Sequence, residues 1–164
     1  MTQAKLTGSE GGCSCGAVRF RLKAEPISVN CCHCRDCQRQ TGSGFALNLL
    51  IEAENVELLG EAPEPVAYAT GSGMGQRNFR CPHCKVSVWS IYNAAGEGAR
   101  FVRGGALDDP GGIEPNAHIF TASKLGWVSI PDGVPQFPGF YSGKDIVPTF
   151  GEEGAARWRK ALGR

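Results

Sequence analysis

The sequence lacks the features that mark membrane proteins, secreted proteins and nucleic-acid-binding proteins. Its 17 lysines and arginines nearly balance 16 aspartates and glutamates, for a formal net charge of +1. Charge therefore gives no reason to expect a nucleic acid or a membrane surface as partner. No stretch approaches the roughly 18 consecutive apolar residues that a membrane-spanning helix needs. Residues 1–12 contain no apolar run typical of a signal peptide, so we expect a cytoplasmic protein.

Internal repeats and low-complexity segments are also absent. The 23 glycines and 10 prolines together make about a fifth of the 164 residues, which is below the level typical of a disordered chain. Such a composition suits many short strands joined by tight turns. The length is typical of one domain over residues 1–164, able to bury a core without disulfides. An assembly of identical chains is compatible with the sequence.

Short apolar segments predict a mainly β fold. The polar residues 35–41, which precede Gly42, predict one or two helical turns. Residues 152–162 have acids first and bases last, and Gly163 follows, so they predict a short C-terminal helix. The first dozen residues look disordered. The predicted strands are residues 17–22, 27–31, 45–51, 56–59, 66–69, 77–80, 86–92, 101–102, 119–120 and 127–128.

Cysteine is the residue type that carries the most information. In a reducing cytoplasm, closely spaced cysteines bind metal more often than they form disulfides. The Cys-x-Cys pair and the adjacent Cys31 and Cys32 also have poor geometry for pairing among themselves. Seven of the eight cysteines fall into three clusters, Cys13-Ser14-Cys15, Cys32-His33-Cys34-Arg35-Asp36-Cys37 and Cys81-Pro82-His83-Cys84.

The simplest arrangement is one structural zinc bound by four cysteines, because a closed structural site takes four ligands. The pairs Cys34–Cys37 and Cys81–Cys84 have the Cys-x-x-Cys spacing of a zinc ribbon. This arrangement would leave the other four cysteines unexplained. We therefore favour two metal sites.

Two sites of different kinds account for seven cysteines. A zinc that takes part in a reaction keeps three protein ligands and one open position. Cys32 and Cys34 share one face of an extended segment, whereas Cys31 points to the other face, so we interpret Cys31 as a buried thiol. A second closed site, with Cys31 or His33 as the fourth ligand, remains the alternative. The predicted ligands are Cys13, Cys15, Cys81 and Cys84 for the structural zinc, and Cys32, Cys34 and Cys37 for the open zinc.

Two segments together resemble a known family. Residues 12–20, GCSCGAVRF, and residues 32–39, CHCRDCQR, are similar to the glutathione-dependent formaldehyde-activating enzyme family, which includes the centromere protein V domain. Residues 79–84, 105–109, 115–120 and 124–127 follow the same family order, and the resemblance spans about residues 11–138. It implies a β-tent fold of small antiparallel sheets joined by a structural zinc, with a catalytic zinc on the three-cysteine cluster.

The sequence departs from the family pattern at two positions. Arg80 separates Phe79 from Cys81, where the family usually has Phe-Cys, and Lys85 replaces the usual glycine after Cys84. A lysine holds a left-handed backbone conformation poorly. We therefore expect the backbone around the Cys81–Cys84 loop to differ locally.

The chemistry of a zinc with three thiolates favours sulfur over water as the fourth ligand. Three thiolates leave the centre with a net negative charge, which weakens its ability to activate water. The hypothesis is that glutathione binds there as thiolate and adds to an aldehyde. With formaldehyde the product is S-hydroxymethylglutathione, and the enzyme class is carbon–sulfur lyase. The alternative is a non-catalytic, zinc-stapled binding module or a thiol carrier, because a fold does not fix a function.

Further residues are candidates for supporting roles. His118 alternates with apolar neighbours, as a core histidine does, but the resemblance raises the alternative that it lines the pocket and transfers a proton as a catalytic residue. The carboxylates of glutathione need cations or amides, which Arg35, Gln38 and Arg39 could supply. His33 sits inside a ligand loop, and we expect it, like His83, to face solvent or to support a ligand.

Overall fold

The computed structural model describes residues 5–164. Within that range the chain forms two sheets and two helices, which confirms the prediction of a mainly β fold with a short C-terminal helix. The elements are β1 (Glu10–Gly12), β2 (Arg19–Leu22), β3 (Ser28–Cys32), α1 (Arg35–Thr41), β4 (Ala46–Glu52), β5 (Val56–Leu58), β6 (Glu64–Tyr68), β7 (Gln76–Arg80), β8 (Ser87–Tyr92), β9 (Ala99–Arg103), β10 (Ala117–Ile119) and α2 (Ile146–Ala161).

The smaller sheet is antiparallel, in the order β1-β2-β5. For residues 5–12 the structure corrects the expectation of a disordered start, because Glu10–Gly12 pairs with β2 and Leu6 is buried; residues 1–4 lie outside the described residues. A Cβ on Gly11 would lie 2.3 Å from the carbonyl oxygen of Ala106. Close packing therefore requires a glycine at position 11. The side-chain pattern of residues 10–12 did not predict this strand.

The larger sheet has seven strands in the order β10-β3-β4-β9-β8-β7-β6. Only β10 and β3 run parallel in it; the other neighbours are antiparallel. One face packs against the smaller sheet, and each apolar side chain buried there contributes about 1.5–3 kcal/mol. This core includes Val18, Phe20, Leu22, Val29, Leu49, Ile51, Val88, Trp89 and Val102.

The opposite face of the large sheet is covered by α2 and by the loop that precedes it. Trp158 of α2 packs with Leu50 and Phe101 of the sheet. A two-pronged ion pair joins the same elements: Arg157 Nε lies 2.6 Å from Glu52 Oε1, and its Nη2 lies 2.7 Å from Glu52 Oε2. The end of the helix is therefore held by both apolar and charged contacts.

The structure revises two of the sequence-based boundaries. Helix α2 begins at Ile146 and bends at Gly151, whose φ of 71° and ψ of 172° are not helical; the predicted segment 152–162 corresponds to the part after the bend. The strand predicted at residues 127–128 is wrong. The side chain of Lys124 donates to the carbonyls of Leu125 and Val128, which favours a turn, and Trp127 is 71% exposed.

Candidate metal centres

The structure brings together the four cysteines predicted for the structural site. The sulfur atoms of Cys13, Cys15, Cys81 and Cys84 all lie within 4.8 Å of one another. Cys15 Sγ is 3.5 Å from Cys13 Sγ and 3.6 Å from Cys81 Sγ. A tetrahedral zinc with bonds of about 2.3 Å separates its sulfurs by roughly 3.8 Å, so the spacing fits this ion. We call this group the four-cysteine cluster.

Local folding explains how two distant segments supply these thiols. Cys13 and Cys15 follow β1, whereas Cys81 and Cys84 occupy the loop between β7 and β8. Backbone N–H groups point at the sulfurs: that of Val18 donates to Cys13 Sγ at 3.3 Å, and N–H bonds lower the pKa of Cys84 to about 6. Such bonds favour the thiolate form that binds metal.

The expectation that Lys85 would avoid a left-handed conformation is wrong. Its φ is 64°, so the loop takes the turn that a glycine would otherwise provide. Three hydrogen bonds hold it: Lys85 N to the carbonyl of Cys81, Lys85 Nζ to the carbonyl of Pro82, and Arg80 Nη1 to the carbonyl of Lys85. His83 in the same loop faces solvent, as expected, with its side chain 58% exposed.

The second predicted ligand set also converges. The sulfurs of Cys32, Cys34 and Cys37 lie within 4.8 Å of one another, and we call them the cysteine trio. Cys32 ends β3, Cys34 caps α1, and Cys37 lies in the first turn, where its N–H donates to Cys34 Sγ at 3.3 Å. The sulfur of Cys34 thus accepts the hydrogen bond that a side-chain oxygen usually accepts at an N-cap.

The three members of the trio differ in exposure. Cys32 and Cys37 are buried, whereas Cys34 is partly exposed. Hydrogen bonds from Cys32 and Cys37 hold the pKa of Cys34 below its ordinary value. Among the described residues the group contains three donors, which fits a zinc that keeps one position for a ligand from solution.

A third cluster lies beside the trio and was missed by sequence analysis. Cys31, His33 and His118 are all buried, and their ligating atoms lie within 4.8 Å of one another. The two imidazoles are stacked, with His33 Nε2 2.9 Å from His118 Nδ1. Residue alternation explains the separation from the trio, because Cys31 and Cys32 point to opposite faces of β3.

This arrangement bears on two predictions. His33 does not face solvent but is fully buried. His118 lies opposite Cys31 in the β3–β10 pair, so the hypothesis that it transfers a proton at the trio gains no support from its position. Burial lowers the pKa of both imidazoles, which favours their neutral forms. The spacing of Cys31 and His33 was the available signal, but their partner comes from a distant strand.

The three candidate glutathione contacts lie on α1, beside a pocket of about 540 Å³ that Trp127 also lines. Arg35 and Arg39 are available at its rim, although Arg39 also lies 3.6 Å from Asp36. Gln38 is not available. It is 6% exposed, its amide donates to the carbonyls of His33 and Ser123, and its oxygen accepts from Arg35.

Sequence analysis also missed a buried cation, Arg103. It ends β9, is 8% exposed and donates to the side-chain oxygens of Asn48 at 2.6 Å and Asn78 at 3.2 Å. The cross-strand register places Arg103 opposite Asn48, two residues along β4 from the partner of Cys32. Arg103 therefore shares the sheet face of the trio. The signal was a cation at the end of an apolar strand, which a solvated arginine would also give.

The fold and the cysteine geometry define a mainly β protein with two cysteine clusters whose spacing suits zinc. Comparison with known proteins identifies the family: the chain belongs to the glutathione-dependent formaldehyde-activating enzyme family, whose model matches residues 8–123. This range overlaps most of the core predicted at about residues 11–138.

One curated protein and one solved structure were found to be similar to this chain. A Halomonas elongata protein named "Putative glutathione-dependent formaldehyde-activating enzyme" is 30% identical over 127 residues, which cover 74% of this chain and 80% of that protein. The crystal structure of a Rhodobacter sphaeroides protein aligns with a TM-score of 0.46 and 16% identity, over 78% of this chain and 98% of the other.

Within residues 5–164, none of the helices has the length and apolar character needed to cross a bilayer.

Proposed function

We propose that this chain is a cytoplasmic, zinc-dependent carbon–sulfur lyase that forms or cleaves the adduct of glutathione with an aldehyde such as formaldehyde. The observation that carries the proposal is the cysteine trio, with three converging thiols and one partly exposed side at Cys34. Family membership supports the choice of glutathione and formaldehyde as substrates. The four-cysteine cluster would hold a second, structural zinc.

The donor set of the trio determines what the site can do. A zinc ion bound by Cys32, Cys34 and Cys37 would supply a centre that prefers a thiolate to water, because its three anionic ligands weaken water activation. Cys32 and Cys37 are buried, so their sulfurs are shielded from solvent. The sulfur of the substrate would approach beside Cys34, the partly exposed member.

The remaining residues would orient the substrate. Arg35 and Arg39 line the pocket on α1, where they would contact a carboxylate of glutathione, and charge-assisted bonds of this kind are the strong ones. The buried guanidinium of Arg103 would offset part of the negative charge of the trio. In the forward direction the thiol loses its proton, the sulfur bonds to the carbonyl carbon, and the carbonyl oxygen gains a proton to become a hydroxyl.

The test measures adduct formation directly. Zinc-loaded protein is mixed with glutathione and formaldehyde, and exchange between free and adduct forms is followed by NMR against the reaction without protein. We expect acceleration that is lost in C34S. A rate equal to the spontaneous one, with two zinc ions per chain, would contradict the proposal; saturable glutathione binding in that case would identify a thiol carrier.

A further inference from the structure

A second pocket, of about 680 Å³, lies between the four-cysteine cluster and the end of α1. Its walls include the turn after β1, the end of α1 at Gln40 and Thr41, the start of β4, the loop after Cys84, and the segment that follows β9. The volume falls within the range of small-molecule sites. It is a different pocket from the one that Arg35 and Arg39 line.

The charges around this pocket are strongly unbalanced. Four cations line it, Arg19, Arg80, Lys85 and Arg103, with Asp108 as the acidic residue. That carboxylate is already engaged, because Arg19 Nη1 and Nη2 lie 2.7 Å and 2.5 Å from its two oxygens. The pocket therefore presents the three remaining positive charges to whatever enters it.

These three cations make their protein contacts with neutral acceptors. Arg103 donates to the side-chain oxygens of Asn48 and Asn78. Arg80 donates from Nη1 to the carbonyl of Lys85 and from Nη2 to Gln40 Oε1, the latter at 2.7 Å. Lys85 Nζ donates to the carbonyl of Pro82 at 2.7 Å.

Arg80 and Lys85 give the strongest reason to expect an anion, because their hydrogen bonds go to uncharged groups of the chain. Arg103 adds a third guanidinium, 8% exposed, which the pocket shares with the surroundings of the cysteine trio. Ser87 lines the same pocket, and its buried Oγ has no hydrogen-bond partner among the described residues. Cations of this kind favour a ligand with acidic groups.

Two of the three cations flank the Cys81–Cys84 loop: Arg80 precedes it and Lys85 follows it. Lys85 holds a left-handed backbone, with φ of 64°, which costs a lysine about 1–2 kcal/mol. The chain therefore has a cation at a position where the backbone favours glycine.

We propose that this pocket binds a small molecule with two or more acidic groups, carboxylates or phosphates, through Arg80, Lys85 and Arg103. The site is separate from the proposed contact of Arg35 and Arg39 with glutathione. Arg103 is shared with the surroundings of the cysteine trio, whereas Arg80 and Lys85 lie outside it, so variants of these two residues test the pocket apart from lyase activity.

The test titrates the zinc-loaded protein with three anions by isothermal calorimetry, at low and at high salt. Tricarballylate represents carboxylates, inorganic phosphate represents phosphates, and S-methylglutathione has the acidic groups of the thiol substrate without its free thiol. We expect at least one to bind, more weakly at high salt. The best binder identifies the class of acid. Failure of all three to bind at millimolar concentration overturns the proposal.

Two variants and one control locate the site. K85G removes a charge and relieves a left-handed lysine, so it should fold at least as well as the parent chain. R80Q removes the second charge, and K160Q removes an exposed charge on α2 as the control. We expect binding about 10-fold weaker in K85G and in R80Q, and unchanged in K160Q. Equal affinities in all four proteins overturn the proposal, and lyase activity is measured separately.

Discussion

The two cysteine clusters differ in how they are assembled. The four-cysteine cluster joins thiols about 70 residues apart, at Cys13 and Cys15 on one side and Cys81 and Cys84 on the other. The cysteine trio instead lies within six residues, from the last residue of β3 to the first turn of α1. A bound metal in the first cluster would therefore fix the position of distant segments, whereas one in the trio would add little to the fold.

The clusters also differ in what their surroundings leave open. The four thiols complete a tetrahedral set, which needs nothing from solution. The trio has three thiols, one partly exposed side and a buried cation, Arg103, on the same face of the sheet. Under the proposed function, the number of converging thiols and their separation along the chain would distinguish a stabilising zinc site from a reactive one.

The largest expected effect breaks the first cluster. C81S should remove most of the metal-binding free energy, which is about 10–16 kcal/mol for structural zinc in small domains and comparable with the roughly 5–15 kcal/mol stability of a whole domain. We expect an unfolded or insoluble chain, seen by circular dichroism. C31S, which removes a cysteine outside both clusters, should remain folded. A folded C81S protein with normal thermal stability would remove the distinction between the clusters.

The next effect breaks the second cluster without breaking the fold. C34S should keep its circular dichroism spectrum and one tightly held zinc. Its rate of glutathione–formaldehyde adduct formation should fall to the spontaneous rate, because a site with two thiolates no longer holds the metal in place. Metal analysis and exchange NMR on the same sample measure both properties. Loss of both zinc ions in C34S would show that the clusters are not independent.

A third prediction tests a part of the fold that neither cluster holds. R157A should destabilise the protein by about 3 kcal/mol, because it leaves the nearly buried Glu52 without its partner; this corresponds to roughly 6–12 °C in melting temperature. The exposed pair of Lys160 and Glu54 supplies the control, since K160Q should change stability by under about 1 kcal/mol. The difference in stability between the two variants should be the same at every zinc concentration at which the chain is folded.

The same ion pair has a pH dependence of known sign. Burial is the largest single effect and raises the pKa of Glu52. The hydrogen bonds from Arg157, from the backbone of Glu52 and from Asn55, together with the charge of Arg157, outweigh burial and hold the pKa below its ordinary value of 4.5. The pair therefore stabilises the fold above that value, and its contribution is lost as the pH falls through the lower pKa of the folded state. The gap between the parent chain and R157A should narrow on acidification. A gap that widens would contradict this assignment.

Sequence reasoning succeeded where spacing along the chain determines the structure. The alternation of Cys32 and Cys34 placed both on one face of an extended segment, and helix α1 lies at the predicted residues 35–41. The cysteines of each predicted ligand set lie within 4.8 Å of one another. In these cases the prediction needs only the spacing of a few neighbouring residues, or the number of ligands that a zinc site takes.

The failures concern features that depend on register between distant strands. His118 meets Cys31 because β10 pairs with β3, and Arg103 shares the face of Cys32 because β9 pairs with β4. Neither pairing could be read from local pattern. Gly11 belongs to a strand because Ala106 packs against it, which is also a tertiary cause. Lys85 shows the opposite error, since a local preference was overruled by the hydrogen bonds around the Cys81–Cys84 loop.

The smallest expected effect sharpens that last point. K85G should stabilise the protein by about 0.5 kcal/mol, because the relief of a left-handed lysine, about 1–2 kcal/mol, exceeds the entropic cost of a glycine, about 0.5–1 kcal/mol. K85A is the matched variant: it also removes the charge and the hydrogen bond to Pro82 but keeps a side chain at φ of 64°. Differential scanning calorimetry should therefore rank K85G above the parent and K85A at or below it. If K85A were as stable as K85G, the charge of Lys85, and not its backbone, would be the source of the strain.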